Sequence, residues 1–213
     1  EKNNDERIGN CLRFLSRLWW FDGNGKKANS FGKEAVDISK DQPSSSAKAM
    51  AFSNMSQLKM LSDQRDECLL WGEKAIEIAK ELNDEETISQ ALNSMGSALM
   101  LYESSMERGV SLLQQSMEIA LKNSYHEHVA RAYIELGSST MIMKDYTFAK
   151  EKLDEGINYC EERDLDSMKL YMLGWRARLN LETGYWDEAY TAASNLLQNE
   201  TLLPVIKISA LTV

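Results

Sequence analysis

Proline is scarce in this sequence: two occur in 213 residues, beside eleven glycines. Both residues weaken the interior of a helix, so their scarcity leaves long stretches free to form helices. Runs of alternating β-branched residues, which indicate strands, are also missing. Alanine, glutamate, leucine, lysine, methionine and serine are abundant instead. The sequence therefore predicts an all-α fold.

Basic residues are too few for a nucleic-acid surface. The chain has 24 Lys and Arg against 33 Asp and Glu, a formal charge of −9. Binding to a phosphate backbone requires a basic face, so we expect no direct nucleic-acid contact by this segment. No stretch approaches the roughly eighteen consecutive apolar residues of a membrane span, so a membrane protein is not predicted either.

Residue patterns for catalysis or metal binding are also missing. His126 and His128 are the only histidines, and a spacing of two does not bring their side chains together on a helix. No glycine-rich phosphate loop and no recognisable nucleophile occur. Cys11, Cys68 and Cys160 are far apart, each within a helical pattern. We predict buried free thiols in a reducing cytoplasm, no metal, no cofactor and no enzymatic activity.

A repeat with a period of about forty residues dominates the chain. Small residues followed by similar apolar patterns recur at intervals of 40, 40, 41 and 40 residues: Ser16, Ser56, Gly96, Gly137 and Ala177. Around the fourth, Tyr133, Leu136 and Gly137 share helical spacing, as do Ala149, Leu153 and Gly156. Turn residues stand midway through each unit, at Gly23-Asn24-Gly25, Ser62-Asp63, Ser104-Ser105, Lys144-Asp145 and Gly184. This pattern is typical of tetratricopeptide (TPR) repeats, in which two antiparallel helices touch at small residues.

We therefore predict a right-handed α-solenoid of TPR-like hairpins in a single domain, residues 1–213. The period exceeds the 34 residues of a minimal TPR unit, and longer helices or connections absorb the excess. Five hairpins and one trailing helix are expected, at about residues 5–42, 43–82, 83–123, 124–163, 164–200 and 202–213.

Two segments of the fourth and fifth units resemble a known family. Leu153-Asp-Glu-Gly-Ile-Asn-Tyr-Cys160 and Leu170-Tyr-Met-Leu-Gly-Trp175-Arg-Ala-Arg178, followed by Gly184-Tyr-Trp186-Asp-Glu-Ala189, resemble the repeat region of bacterial LuxR-type and ATPase-type transcriptional regulators. The likeness is specific between about Leu153 and Leu197. It implies a sensing region attached to other domains. This sequence has no Walker lysine motif and no helix-turn-helix, so it is not expected to bind nucleotide or DNA itself.

The first helix of each TPR hairpin lines a concave face, which is where we predict a ligand groove. Arginine offers a planar fork for carboxylate or phosphate, and an aromatic or amide can complete such a site. The alternative is that these arginines pair with neighbouring acidic residues and that the aromatic residues pack in the core. The predicted groove residues are Arg13, Arg17, Trp20, Gln57, Asn93, Arg131 and Arg178.

The leading functional hypothesis is a non-catalytic sensor domain of a bacterial transcriptional regulator that binds a protein, a peptide or a small effector. The alternatives are a peptide-pheromone receptor and a structural scaffold. We also expect the sequence to be part of a longer protein, with more repeats and an effector domain after Val213. An apolar face on the trailing helix, formed by Val205, Ile206, Ile208 and Leu211, should then be exposed and favour end-to-end homodimers or poor solubility.

Overall fold

A computed structural model describes residues 2–200 and 202–213, without the side chains of residues 2 and 3. Glu1 and Thr201 lie outside the described part. Within that part there is no strand, and a 3₁₀ turn, Glu103–Ser105, stands between α5 and α6. The helices are α1 (Lys2–Phe21), α2 (Gly25–Ser39), α3 (Ser46–Leu61), α4 (Arg65–Leu82), α5 (Glu85–Met100), α6 (Met106–Lys122), α7 (His126–Ile142), α8 (Tyr146–Glu161), α9 (Asp166–Glu182), α10 (Trp186–Leu197) and α11 (Pro204–Ala210).

The predicted helix pairs are confirmed. The connections inside the pairs fall at residues 22–24, 62–64, 101–105, 143–145 and 183–185, each at a predicted turn. The five pairs are α1–α2, α3–α4, α5–α6, α7–α8 and α9–α10, and α11 follows as a single helix. The extra residue of the third unit lies in the 3₁₀ connection between α5 and α6, as its 41-residue interval indicates.

The chain divides into two compact units, Glu1–Tyr125 and His126–Val213. In the first unit, α1 packs on α2, α3 on α4 and α5 on α6, while α3 also packs on α1, α2 and α5. In the second unit, α7 packs on α8 and α9 on α10, and α11 packs on α9 and α10. In each unit the first helix of a hairpin therefore packs on both helices of the preceding hairpin: α3 on α1 and α2, α5 on α3 and α4, and α9 on α7 and α8.

Most of the helices end in the same backbone conformation. Seven connections contain a residue with positive φ, of which five are not glycine. At Lys144 (φ 64°) the next N–H, of Asp145, donates to Thr140 O at 2.9 Å, and at Gly23 the N–H of Asn24 donates to Trp19 O at 2.8 Å. This six-to-one bond is the Schellman motif, which satisfies helix carbonyls that would otherwise lack donors. The motif ends most helices here without proline.

Side-chain caps support several helix starts. Asp84 Oδ1 accepts the N–H of Thr87 at 3.1 Å, and Thr87 Oγ1 donates to Asp84 Oδ2 at 2.8 Å. Asn24, Ser45 and Asp145 cap α2, α3 and α8 through the same side-chain bond to the third N–H. These bonds satisfy amides that helix geometry leaves without partners.

The predicted close contacts between paired helices are confirmed at the small residues. Ser16 Oγ donates to Ala28 O, and Ser56 Oγ donates to Cys68 O, both at 2.8 Å. In the third hairpin a Cβ on Gly96 would lie 2.8 Å from the carbonyl oxygen of Gly109. Larger side chains at these positions would force the helices apart.

Two buried serines of α3 provide a matched test of this packing. Ser56 is hydrogen-bonded as above, whereas Ser53 Oγ, equally buried, has no partner among the described residues. Removing an unpaired buried hydroxyl should stabilise a protein, and removing a paired one should destabilise it, each by about 1 kcal/mol. We therefore expect Ser53→Ala to raise, and Ser56→Ala to lower, the free energy of unfolding in urea. Changes of the same sign in both variants would contradict the assignment.

The cysteine prediction is wrong for one residue. Cys68 and Cys160 are buried, as predicted, but Cys11 is exposed. It lies on a face of α1 where Ile8, Leu15 and Leu18 are exposed too. An apolar stripe at helical spacing predicts burial only if a neighbour covers it, and none of the described residues covers this one.

The exposure predicted for the trailing helix is wrong for two of four residues. Ile208 and Leu211 are exposed, but Val205 and Ile206 are buried. The reason is that α11 packs its inner face on α9. Gly174 permits this approach, since a Cβ there would collide with Ser209 Oγ and lie 3.7 Å from Ile206 O.

Candidate functional site

Five of the predicted groove residues lie in the first unit, on the helices that pack side by side. Arg13, Arg17 and Trp20 are on α1, Gln57 is on α3 and Asn93 is on α5. Arg131 and Arg178 belong to the second unit and are described separately.

Arg13 is a buried arginine with an exposed fraction of only 7%. Its Nε and Nη2 both donate to Asn10 Oδ1, at 3.1 and 3.0 Å, and its Cζ lies 3.9 Å from the centre of the Phe14 ring. Burial, and after it the charge of Arg17, lower the pKa of Arg13 to about 10, while Glu86 acts in the opposite direction. The guanidinium is nevertheless cationic at neutral pH.

Arg17 follows one helical turn later on the same face and is half-buried. Two guanidinium groups therefore lie one helical turn apart in an acidic chain, and the charge of Arg17 is the second cause, after burial, of the lowered pKa of Arg13. Glu86 at the start of α5 is close enough to raise that pKa, so part of the alternative interpretation, arginine beside a neighbouring carboxylate, also holds. The pair is a local excess of positive charge suited to a carboxylate.

The other first-unit residues differ in access. Gln57 is half-buried, whereas Asn93 is completely buried. Trp20 is half-buried, packs against the hydrophobic core of its unit and meets Phe21 edge-on with ring centres 5.0 Å apart. The side of the predicted groove that a ligand can reach in this unit is therefore the α1–α3 side, with Arg17 and Gln57.

In the second unit, Arg131 is buried on α7. Arg178 is half-buried on α9, and its Cζ lies 5.8 Å from the centre of the Trp175 ring. Nothing tests whether these residues contact a ligand, so the groove remains a prediction.

The sequence reasoning missed an aromatic surface at the start of α10. Trp186 and Tyr190 are one turn apart and are 70% and 73% exposed, and Tyr185 before them is exposed too. The opposite side of α10 is buried through Ala189 and Ala193. The sequence pattern could have predicted this surface, because Trp186 and Tyr190 lie on a different face of the helix from the small residues Ala189 and Ala193. Exposed aromatic patches of this kind are typical of contact surfaces.

Neither a candidate membrane span nor a candidate metal site occurs in the described part of the chain. No helix in it is long and apolar enough to cross a membrane. No group of three or more His, Cys, Asp or Glu within it could hold a metal ion.

Solved structures with a similar fold are helical-repeat proteins. A Rap protein in complex with Competence and Sporulation Factor has a TM-score of 0.76 at 16% identity, over 88% of this chain and 52% of that one. A kinesin light chain from Podospora anserina with nearly identical TPR-like repeats has a TM-score of 0.56 at 17% identity, over 91% of this chain and 95% of that one. Aspartyl phosphate phosphatase F from Bacillus subtilis has a TM-score of 0.62 at 10% identity, over 96% and 61%.

These likenesses confirm the predicted fold class: the chain is an all-α protein of TPR-like helical repeats. At such low identity they show the fold alone. The chain spans about half the length of the Rap protein. No family model matches the sequence, and no curated protein matches it at a significant level.

Proposed function

We propose that this chain is a non-catalytic binding domain whose first unit takes an acidic peptide, or an acidic segment of a protein, on the α1–α3 side. The observation that carries the proposal is the Arg13–Arg17 pair, two guanidinium groups one turn apart, of which the first is buried. Glu86 already offsets part of this positive charge, and a carboxylate of the ligand would reduce the repulsion between the two cations further.

The surrounding residues fit a peptide. Gln57 on the neighbouring helix is accessible in part and carries both a donor and an acceptor for a peptide group. Repeat surfaces bind extended ligands through many modest contacts of this kind. The Rap protein of similar fold is complexed with a factor, which supports a ligand-binding role for this fold.

Three likenesses favour three different finer roles. The likeness to the Rap protein favours a peptide receptor, which is the alternative that the sequence raised. The segment from Leu153 to Leu197 resembles LuxR-type and ATPase-type regulators and favours a cytoplasmic sensing region of a transcriptional regulator. The likeness to a kinesin light chain leaves a scaffold as a third role. In all three roles the domain binds a protein or peptide and catalyses nothing.

Selection from a random peptide library tests the proposal. We expect peptides that bind the full chain to be enriched in Asp and Glu. Arg17→Glu should weaken their binding at least about tenfold, because it replaces an attraction by a repulsion. The variant should still fold, since Arg17 is partly exposed. Isothermal titration measures the affinity, and circular dichroism measures the fold.

Lys26→Glu is the matched control, because it makes the same change of charge at an exposed position on α2. Its effect should stay within about twofold, the size of a screened long-range charge effect. Equal weakening in both variants would mean that the net charge of the chain, and not the position of Arg17, determines the affinity. Enrichment of basic or uncharged peptides, or full affinity in Arg17→Glu, would contradict the proposal.

A further inference from the structure

A cavity opens between α2 and α4 in the first unit. These two helices, both fully described, each pack on α3 and have no packing contact with each other. The gap has a volume of about 480 Å³. Its floor is formed by Phe52 and Met55 of α3, and its apolar walls by Val36 of α2 and Trp71 and Ile78 of α4. Phe52 and Met55 thus belong both to the floor of the cavity and to the hydrophobic core of the unit, and each is 6% exposed.

The aromatic part of the cavity forms a corner. The rings of Phe52 and Trp71 have centres 5.3 Å apart and planes at 64°. Lys74 Nζ lies 4.8 Å from the centre of the Trp71 ring. A flat ring could pack against this corner, with a cation already in place beside it.

The rim is basic although the chain is acidic. Four lysines line the cavity, Lys33, Lys40, Lys48 and Lys74, against two carboxylates, Asp37 and Glu77. The chain as a whole has a charge of −9. The lining of the cavity therefore carries an excess of two positive charges.

Two of these lysines are occupied by the protein itself. Lys40 pairs with Asp37 at 3.1 Å, and Lys48 Nζ donates to the carbonyl oxygens of Lys40 and Gln42, both at 2.8 Å. Lys33 and Lys74 have no carboxylate within ion-pair distance among the described residues. Glu77 has no such partner there either and lies too far from Lys74 to pair with it in this arrangement.

We propose that this cavity binds a small aromatic anion, with its ring against Phe52 and Trp71 and its carboxylate or sulfonate between Lys33 and Lys74. The volume lies within the range of roughly 300–1,000 Å³ that is usual for small-molecule sites. The apolar corner supplies burial of the ring, and the two lysines select a negative charge over a positive one. The site lies on other residues than the α1–α3 peptide site, so it adds a second ligand to the proposed function.

The anionic dye 8-anilinonaphthalene-1-sulfonate is a suitable probe. We expect saturable binding to the full chain at one site, measured by dye fluorescence and by titration calorimetry. Lys33→Glu/Lys74→Glu should weaken that binding at least about tenfold. The control Lys26→Glu/Lys80→Glu makes the same change of net charge at exposed positions that do not line the cavity, and its affinity should stay within about twofold of the original chain.

Other results would overturn the proposal. One is equal loss of dye binding in the two double variants, which would mean a net-charge effect. A second is equally tight binding of thioflavin T, a cationic aromatic dye, which would mean an unselective apolar surface. A third is dye binding that survives in the cavity variant and is lost in Ile8→Ser/Leu18→Ser, which would place the dye on α1. Peptide binding to the α1–α3 side is measured independently of dye binding to the cavity, so a negative result for one proposed site leaves the test of the other unaffected.

Discussion

Gly96→Ala should lower the free energy of unfolding by roughly 2 kcal/mol, as overpacking of a close helix contact usually does. A Cβ on Gly96 would lie 2.8 Å from Gly109 O, 2.9 Å from Leu113 Cγ and 3.0 Å from Leu113 N. Two of these three atoms belong to the backbone of α6, so relief requires movement of the whole helix. The loss should appear as a lower midpoint in urea unfolding followed by circular dichroism.

Two other glycines provide controls. Gly25→Ala meets nothing within 4 Å at the start of α2 and should leave stability unchanged or raise it slightly. Gly72→Ala meets the flexible side chain of Met95, which can move, so it should destabilise less than Gly96→Ala. An increase of stability in Gly96→Ala, or a greater loss in Gly25→Ala, would show that α5 and α6 are not in close contact.

The three thiols should react at very different rates in the folded protein. Cys11 is exposed, whereas burial raises the pKa of Cys68 and of Cys160 to about 11. At about pH 8, a pKa of 11 leaves roughly one thiol in a thousand as the reactive thiolate, before any steric protection. Dithionitrobenzoate should therefore label one thiol quickly and two others at least about a hundredfold more slowly.

Unfolding and mutation check the assignment of the labelling phases. In concentrated urea all three thiols should react quickly, and Cys11→Ser should remove only the fast phase of the folded protein. Burial of these two thiols also predicts how the stability of the fold changes at alkaline pH. Their folded pKa lies above the unfolded value, so unfolding releases protons and stability falls as pH rises from about 9 to 11. Three equally fast thiols in the folded chain would contradict the burial of Cys68 and Cys160.

The repeat could be predicted because it depends on the spacing of small residues along the sequence. Ser16, Ser56, Gly96, Gly137 and Ala177 recur at nearly one interval, and small residues at that interval have one common cause, the close contact of paired helices. The turns between paired helices were predicted too, but the positive φ of a non-glycine residue such as Lys144 was not, because lysine has no marked preference for that conformation.

The predicted site could not be judged from spacing, since access depends on neighbours distant in sequence. Arg13 and Arg17 share one helical face, yet the first is buried and the second half-exposed. Asn93 belongs to the same repeat position as Ser53 and is likewise buried. The cavity between α2 and α4 depends on a gap between two helices, which no motif of either helix indicates.

Hydrogen exchange of the full chain, with and without a selected acidic peptide, tests the central claim most directly. We expect the peptide to slow exchange in α1 and α3, around Arg17 and Gln57, and to leave exchange on the outer side of α10 unchanged. Slower exchange confined to α10, near Trp186 and Tyr190, or to α2 and α4, with none in α1 and α3, would contradict it.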